Sequence, residues 1–235
     1  FFQAEDGIRD SVASRGLGDV YKRQIKYMVV ICSLFFLFDL LLQTSANVTS
    51  FQIFIFGCAA GFIGYLLADL LTGSIHWFCD TFFSEKTPLI GSFIIFSFRE
   101  HHTHPYLITE DKFIEQDTTS FFLLLPALVG AVYSTKIYSQ DLALFVLHSC
   151  LIGLSIGAFS TNLFHKWAHM DNPPRIVQKF QNMGLILNRE RHKIHHANHD
   201  RSFCVTSGLL NPLLDKINFF PLIEKCIRLF SYVRT

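Results

Sequence analysis

The chain has 235 residues, half of them apolar and 26 of them Phe, and its formal net charge is +1. Such a composition excludes an ordinary soluble domain and suits a small polytopic membrane protein, and the near-zero charge gives no bulk basicity for nucleic-acid binding. The six cysteines (Cys32, Cys58, Cys79, Cys150, Cys204, Cys226) are scattered without a C-x-x-C pair and read as free thiols in or beside lipid.

In chain order, the first 24 residues, FFQAEDGIRDSVASRGLGDVYKRQ, are polar and unpatterned and stop at the apolar run opening near Ile25. The string looks like translated sequencing-adapter read-through, so 1–24 is set aside as non-native and 25–235 is read as one membrane domain. Four segments, about 25–45, 51–71, 119–138 and 141–164, are apolar enough to cross a hydrocarbon core that needs roughly 20 helical residues. Asp39 and Asp69 fall within the first two, where a carboxylate is expected to face the protein interior or a wet cavity. The run Pro88 to Phe98 is too short to span and reads as interfacial or re-entrant. Beyond residue 200, Pro212 and Pro221 interrupt a weak pattern that reads as short interfacial elements.

Loops 46–50 and 139–140 are tiny, and only Lys136 belongs to their side, whereas eleven Lys and Arg follow the fourth span. The positive-inside rule then puts 72–118 and the C-terminal region in the cytosol. The fold class expected is all-α, with about four transmembrane helices under a cytosolic histidine-rich di-metal cap. Trp77 and Trp167 stand where aromatic belts place tryptophan.

Ten of the eleven histidines fall into four groups on that side. His76 and Asp80 prolong the second span with Asp69 at spacings of seven and four, one stripe in which Asp80 can ligate a metal and Asp69 can orient an imidazole. His101, His102 and His104 end the short run, and adjacent His101 and His102 point apart on a helix, one toward each of two ions. Glu100, and Glu115 or Asp117 downstream, offer carboxylates near them. His165 and His169 share a helix face four residues apart, though Lys166 replaces the glutamate of H-E-x-x-H. His192, His195 and His196 lie on one face, which His199 extends. Flanking Arg189, Arg191 and Lys193, with Arg201, suggest contact with an anionic headgroup. His148, seventeen residues before His165 and so about 25 Å away along a helix, reads as a structural hydrogen-bonding residue.

So many imidazoles with one or two carboxylates exceed a single tetrahedral zinc site, and two metals are implied. With no Cys or Met among the donors, an imidazole-rich site with open positions suits iron that activates oxygen. The apolar spans make an alkyl chain the natural substrate.

The runs LADLLTGSIHWFCDT, PLIGSFIIFSFREHHTHPYLITEDKFIE, TNLFHKWAHM and RHKIHHANHDRSFCVTSGLLNPLLD resemble the Kua family over essentially all of 60–216. Its animal members include plasmanylethanolamine desaturase, and its plant relatives are plastid fatty-acid desaturases. The resemblance implies that His76, His101, His102, His165, His169, His192, His195 and His196 bind two irons, with His199 matching the family's next histidine at a spacing one residue shorter. Two departures touch the ligand set: position 104 is His where animal members commonly have Asp, and 117 is Asp where they commonly have Asn. It further implies an O2-dependent desaturation of an sn-1 alkyl ether chain to a vinyl ether, electrons from cytochrome b5 and its reductase, and the endoplasmic reticulum membrane. Acyl-lipid desaturation or hydroxylation by the same boxes is the alternative within the enzyme class. A membrane metal transporter is the alternative outside it, disfavoured because its ligands would line the midplane.

Overall fold

The computed structural model describes the backbone of residues 2–88, 90–91, 95–110, 113–137 and 141–232, and the side chains of these from 20 onward except 97, 113–117 and 230–232. Among these residues every regular element is helical: α1 (Phe2–Ala46), α2 (Phe51–Phe82), α3 (Phe96–Thr103), α4 (Phe113–Ile137), α5 (Leu142–His169), α6 (Arg175–Asn182), α7 (Arg189–Ala197), α8 (Asn211–Lys216) and α9 (Phe219–Tyr232). The stretches Val20–Ala46, Phe51–Phe82, Thr118–Ile137 and Leu142–His169 are long and apolar enough to cross a bilayer. The protein is an integral membrane protein of four such helices. The α1 backbone continues helically through the boundary expected after Gln24. In the run Pro88 to Phe98, residues 89 and 92–94 fall outside the described residues, while Ile95 is buried and Phe96 opens α3.

Helices α2 and α5 begin sharply on the face away from the histidines. Ser50 and Asp141 each accept a hydrogen bond from a backbone N–H three residues on, and so satisfy an otherwise orphaned donor. At 32 residues, α2 is about 48 Å long against a core of about 30 Å, so its last turns stand clear of the lipid. Those turns carry His76 and Asp80, and the end of α5 carries His165 and His169.

Two pairings build the bundle, α1 along α4 and α2 along α5, with α4 joining them. Leu40, Phe121, Leu128, Val132 and Phe159 form the core between α1, α4 and α5, where the Phe121 and Phe159 rings stack at 3.9 Å. The α2–α5 contact is closer. A methyl group built on Gly64 would lie 1.8 Å from the Cys150 carbonyl oxygen, and one on Gly153 would lie 1.8 Å from that of Gly61. Only glycine lets these backbones approach so far.

The residues after 200 differ most from expectation. Residues 202–207 are buried and form neither helix nor strand, with Ser202 at φ 60°, and they run down the groove between α2 and α5. Phe203 packs on His76, Cys204 crosses α2 at Gly73, and Thr206 bonds both Thr72 and Thr161. Asp69 receives the segment: one carboxylate oxygen accepts from the N–H of Thr206, Ser207 and Gly208, and the other from the Ser207 hydroxyl. Alongside, Leu187 N–H donates to Thr206 and the Tyr65 hydroxyl donates to the Leu185 carbonyl. Irregular backbone at this depth is stable only because the protein covers it and satisfies its polar groups. Asp69 therefore anchors chain, and among the described residues no imidazole hydrogen-bonds to it. The helix α9, at 14 residues, is longer than the short elements expected, since Pro221 falls in its first turn, where a missing N–H costs nothing. Trp77 leaves the expected aromatic belt for the core, packing against Phe82 and Phe220.

Candidate metal centre

Four helices deliver the histidines: α2 gives His76, α3 His101 and His102, α5 His165 and His169, and α7 His192, His195 and His196. Their ring nitrogens gather into two groups, each with its ligand atoms within 4.8 Å of one another. One comprises His101, His165, His169, His192 and His196, and the other His76, His101, His102 and His195, with His101 common to both. Helical spacing explains the partition in α7, whose residues 192 and 196 are four apart and serve the first group while 195 turns to the second. The Asp80 carboxylate lies 3.3 Å from His76 Nε2 and 3.7 Å from the Nε2 atoms of His102 and His195, which adds an oxygen to the second group.

Hydrogen bonding alone does not account for this convergence. His192 Nε2 lies 2.8 Å from His165 Nε2, 2.9 Å from His169 Nε2 and 2.9 Å from His196 Nε2. A neutral ring nitrogen has one proton or one in-plane lone pair, so it can satisfy one of these three neighbours. Donors about 2.1 Å from a shared ion and at right angles to each other are about 3 Å apart, the spacing seen here. Both oxygens of Asp80, both ring nitrogens of His76, His101 Nε2 and His192 Nδ1 are buried without a hydrogen-bond partner among the described residues. Orphaned buried groups of this kind are costly, and a cation between them removes the cost. The residues present fit two metal ions.

Electrostatics keeps the donors ready. Burial first, and neighbouring imidazoles second, hold His101 and His192 well below the usual histidine range. The same causes lower His102 to about 3, while burial lowers His196 to about 4, with His199 adding to it. His195 is also lowered to about 4 by burial, opposed by a hydrogen bond of its Nδ1 to the Arg201 carbonyl at 2.8 Å. These imidazoles are neutral at pH 7, with lone pairs free for a metal. The Arg201 carbonyl can only accept, so His195 carries its proton on Nδ1 and offers Nε2 to the centre.

Other expected site residues fall elsewhere. His199 is exposed and stacks on His102 at 4.4 Å, outside both groups, and exposed His104 bonds the Thr103 hydroxyl. The Glu100 carboxylate makes no hydrogen bond among the described residues, and the side chains of Glu115 and Asp117 lie outside them. Of the three cations expected at a lipid headgroup, one is engaged inside the protein and two stand in exposed ion pairs. Arg191 turns inward to the carbonyls of Gly184 and Ser207 and ties the buried loops together, Arg189 pairs with Asp171, and Lys193 pairs with Glu190. His148 is remote and bonds the Ser134 hydroxyl at 2.9 Å. Sequence reasoning missed Arg99, whose guanidinium spans the carbonyls of Asp80 and Phe83 and ties α3 to the end of α2. A cleft of about 360 Å³ opens beside it, reaching Asp80 and His102 on one side and Glu224 and Arg228 of α9 on the other.

Bundle and centre together define an all-helical integral membrane protein with a buried, metal-competent histidine site at one end. Residues 65–234, which hold every donor named above, match the lipid desaturase domain, and the chain belongs to that family. It is 35% identical over 170 residues to the plasmanylethanolamine desaturase of Myxococcus xanthus, covering 72% of this chain and 59% of the relative. It is 36% identical over 169 residues to plasmanylethanolamine desaturase 1 of Mus musculus, covering 70% and 62%. A third relative, fatty acid desaturase 4 of the Arabidopsis thaliana chloroplast, is 34% identical over 170 residues, covering 70% and 50%. The chain thus spans about six tenths of the length of the first two relatives. No solved structure matches it significantly.

Proposed function

We propose that the chain is an oxidoreductase, an O2-dependent di-iron lipid desaturase that converts the sn-1 alkyl ether chain of plasmanylethanolamine to the vinyl ether of a plasmalogen. The observation that carries this reading is the pair of convergent, neutral histidine groups sharing His101, in a chain of the lipid desaturase family. His165, His169, His192 and His196 would hold one ion, and His76, His102, His195 and Asp80 the other, with His101 between them. Iron bound there supplies oxygen activation and the oxidising power to remove hydrogen from unactivated carbon. In balance, two hydrogens leave adjacent chain carbons, and with two electrons and two protons from a donor O2 becomes two waters. Cytochrome b5 and its reductase fit as that donor. The chain's own part is to fix the donors through four helices, to orient His195 through Arg201, and to keep the site buried from water. The lysine and arginine balance supports a centre on the cytosolic side, and the endoplasmic reticulum is the membrane that goes with the plasmalogen reading.

The likeness to a chloroplast fatty acid desaturase favours a second reading, in which an acyl chain is the substrate. Lipid mass spectrometry of plasmalogen-deficient cells, with and without the chain, separates the two. Loss of two hydrogens from ether lipid supports the first, loss from acyl chains the second, and gain of one oxygen marks a hydroxylase. Replacing His165 or His195 with Ala should abolish the product while the protein stays in the membrane. Near wild-type turnover in either variant would sink the di-metal assignment. His148→Ala should keep activity, because its ring bonds the Ser134 hydroxyl, away from both donor groups.

A further inference from the structure

We propose that the cleft beside the histidine centre binds a zwitterionic phosphoethanolamine headgroup, with Arg99 and Arg228 receiving the phosphodiester and Glu224 and Asp200 receiving the ammonium. The proposal rests on the lipid-desaturase reading and adds which residues select the substrate. The cleft, about 360 Å³, is lined by Asp80, Arg99 and His102 from one side and by Asp200, Glu224 and Arg228 from the other. It thus holds charges of both signs, which a zwitterion needs and a simple anion does not. Guanidinium groups match phosphate oxygens in geometry as well as charge. A primary ammonium has three N–H donors for carboxylates. A quaternary ammonium has none and is ordinarily held by an aromatic cage, yet no Phe, Tyr or Trp lines this cleft among the described residues.

Position argues the same way. Asp80 and His102 belong to both the cleft and the second donor group. A headgroup seated there would lie directly beside the second donor group, with its lipid chains starting from that point. Arg228 is held over the Phe82 ring at 5.5 Å and pairs with Glu224 at 2.7 Å, so both charges of α9 are aimed at one place. A half-exposed pair of this kind adds little to stability. The opposite side of α9 exposes Leu222 and Leu229, and α8 exposes Leu213, an apolar surface suited to resting on the acyl region.

The test uses membranes holding the full chain, supplied with alkyl-ether phosphoethanolamine or alkyl-ether phosphocholine, and reads dehydrogenated product by mass spectrometry. Wild type should prefer the ethanolamine lipid. Glu224→Gln should erase at least about tenfold of that preference, the effect of one charged contact, and Arg228→Gln should slow both lipids. A second readout is independent of turnover: thermal stabilisation of purified protein by glycerophosphoethanolamine, glycerophosphocholine or inorganic phosphate. Protection by the first alone, lost in Glu224→Gln, supports the headgroup site. Equal protection by inorganic phosphate, or preference and rates within twofold of wild type in both variants, overturns it. If no supplied lipid is dehydrogenated by wild type while glycerophosphoethanolamine still protects, the desaturase reading fails and the binding site stands.

Discussion

Asp69 and the histidines show how differently two kinds of buried polar residue are written into a chain. Asp69 is fully buried, and three backbone N–H groups converge on one of its oxygens at 2.9 to 3.2 Å. Asp69→Ala leaves those donors without an acceptor, at roughly 1–3 kcal/mol each. A large drop in melting temperature in detergent is expected, together with loss of bound metal, because residues 202–207 also carry Phe203 beneath His76 and His195. Asp69→Asn keeps an acceptor oxygen and should lose much less. A melting curve for Asp69→Ala like that of wild type would show that the segment is held by something else. The sequence made the histidines legible because their grouping is local: spacings of three and four already put rings on a common face. It also led to the expectation that Asp69 faces the protein interior or a wet cavity. Its partners were not legible, because they lie 137 to 139 positions away.

At the level of elements, hydropathy located the four long helices, but the choice of neighbours depends on surfaces that hydropathy does not weigh. Glycines decide it for α2 and α5. A methyl group at Gly64 or Gly153 meets backbone carbonyl oxygens, which cannot swing aside as a side chain would. Gly64→Ala or Gly153→Ala must therefore push the helices apart, at more than the roughly 1–3 kcal/mol of ordinary overpacking. That displacement moves His76 and Asp80 away from His165 and His169, so both stability and metal content should fall. Gly130 in α4 has nothing within 4 Å of such a methyl group. Gly130→Ala should be neutral or stabilise by about 0.5–1 kcal/mol through helix propensity. Paired melting curves and metal analysis would check the contrast, and equal effects at the two sites would refute the close-packing account. The buried run 202–207 escaped detection for a related reason: a short irregular segment carries no helical or strand period, and its cover comes from α2 and α5.

For the molecule as a whole, the centre joins parts of unequal intrinsic stability. Helices α2 and α5 are long, apolar and packed along their lengths, whereas α3 and α7 have 8 and 9 residues. Helices that short are marginal in water without tertiary support. Much of the support for α3 and α7 comes through the cluster, where His101, His102, His192, His195 and His196 meet donors from the long helices. Metal binding would then be linked to local folding, since ions held by all four helices would favour only the assembled state. Treating the loaded protein with a strong chelator should leave helical content and membrane insertion nearly unchanged. Amide hydrogen exchange across 96–103 and 189–197 should rise by at least about tenfold, as for any segment whose protection depends on a bound ligand. Ferrous iron added back should restore protection in both segments together, because His101 belongs to both donor groups. Exchange unaltered by chelation, in protein shown to have lost its metal, would mean that α3 and α7 are held by packing alone and that the ions are guests of a finished cage.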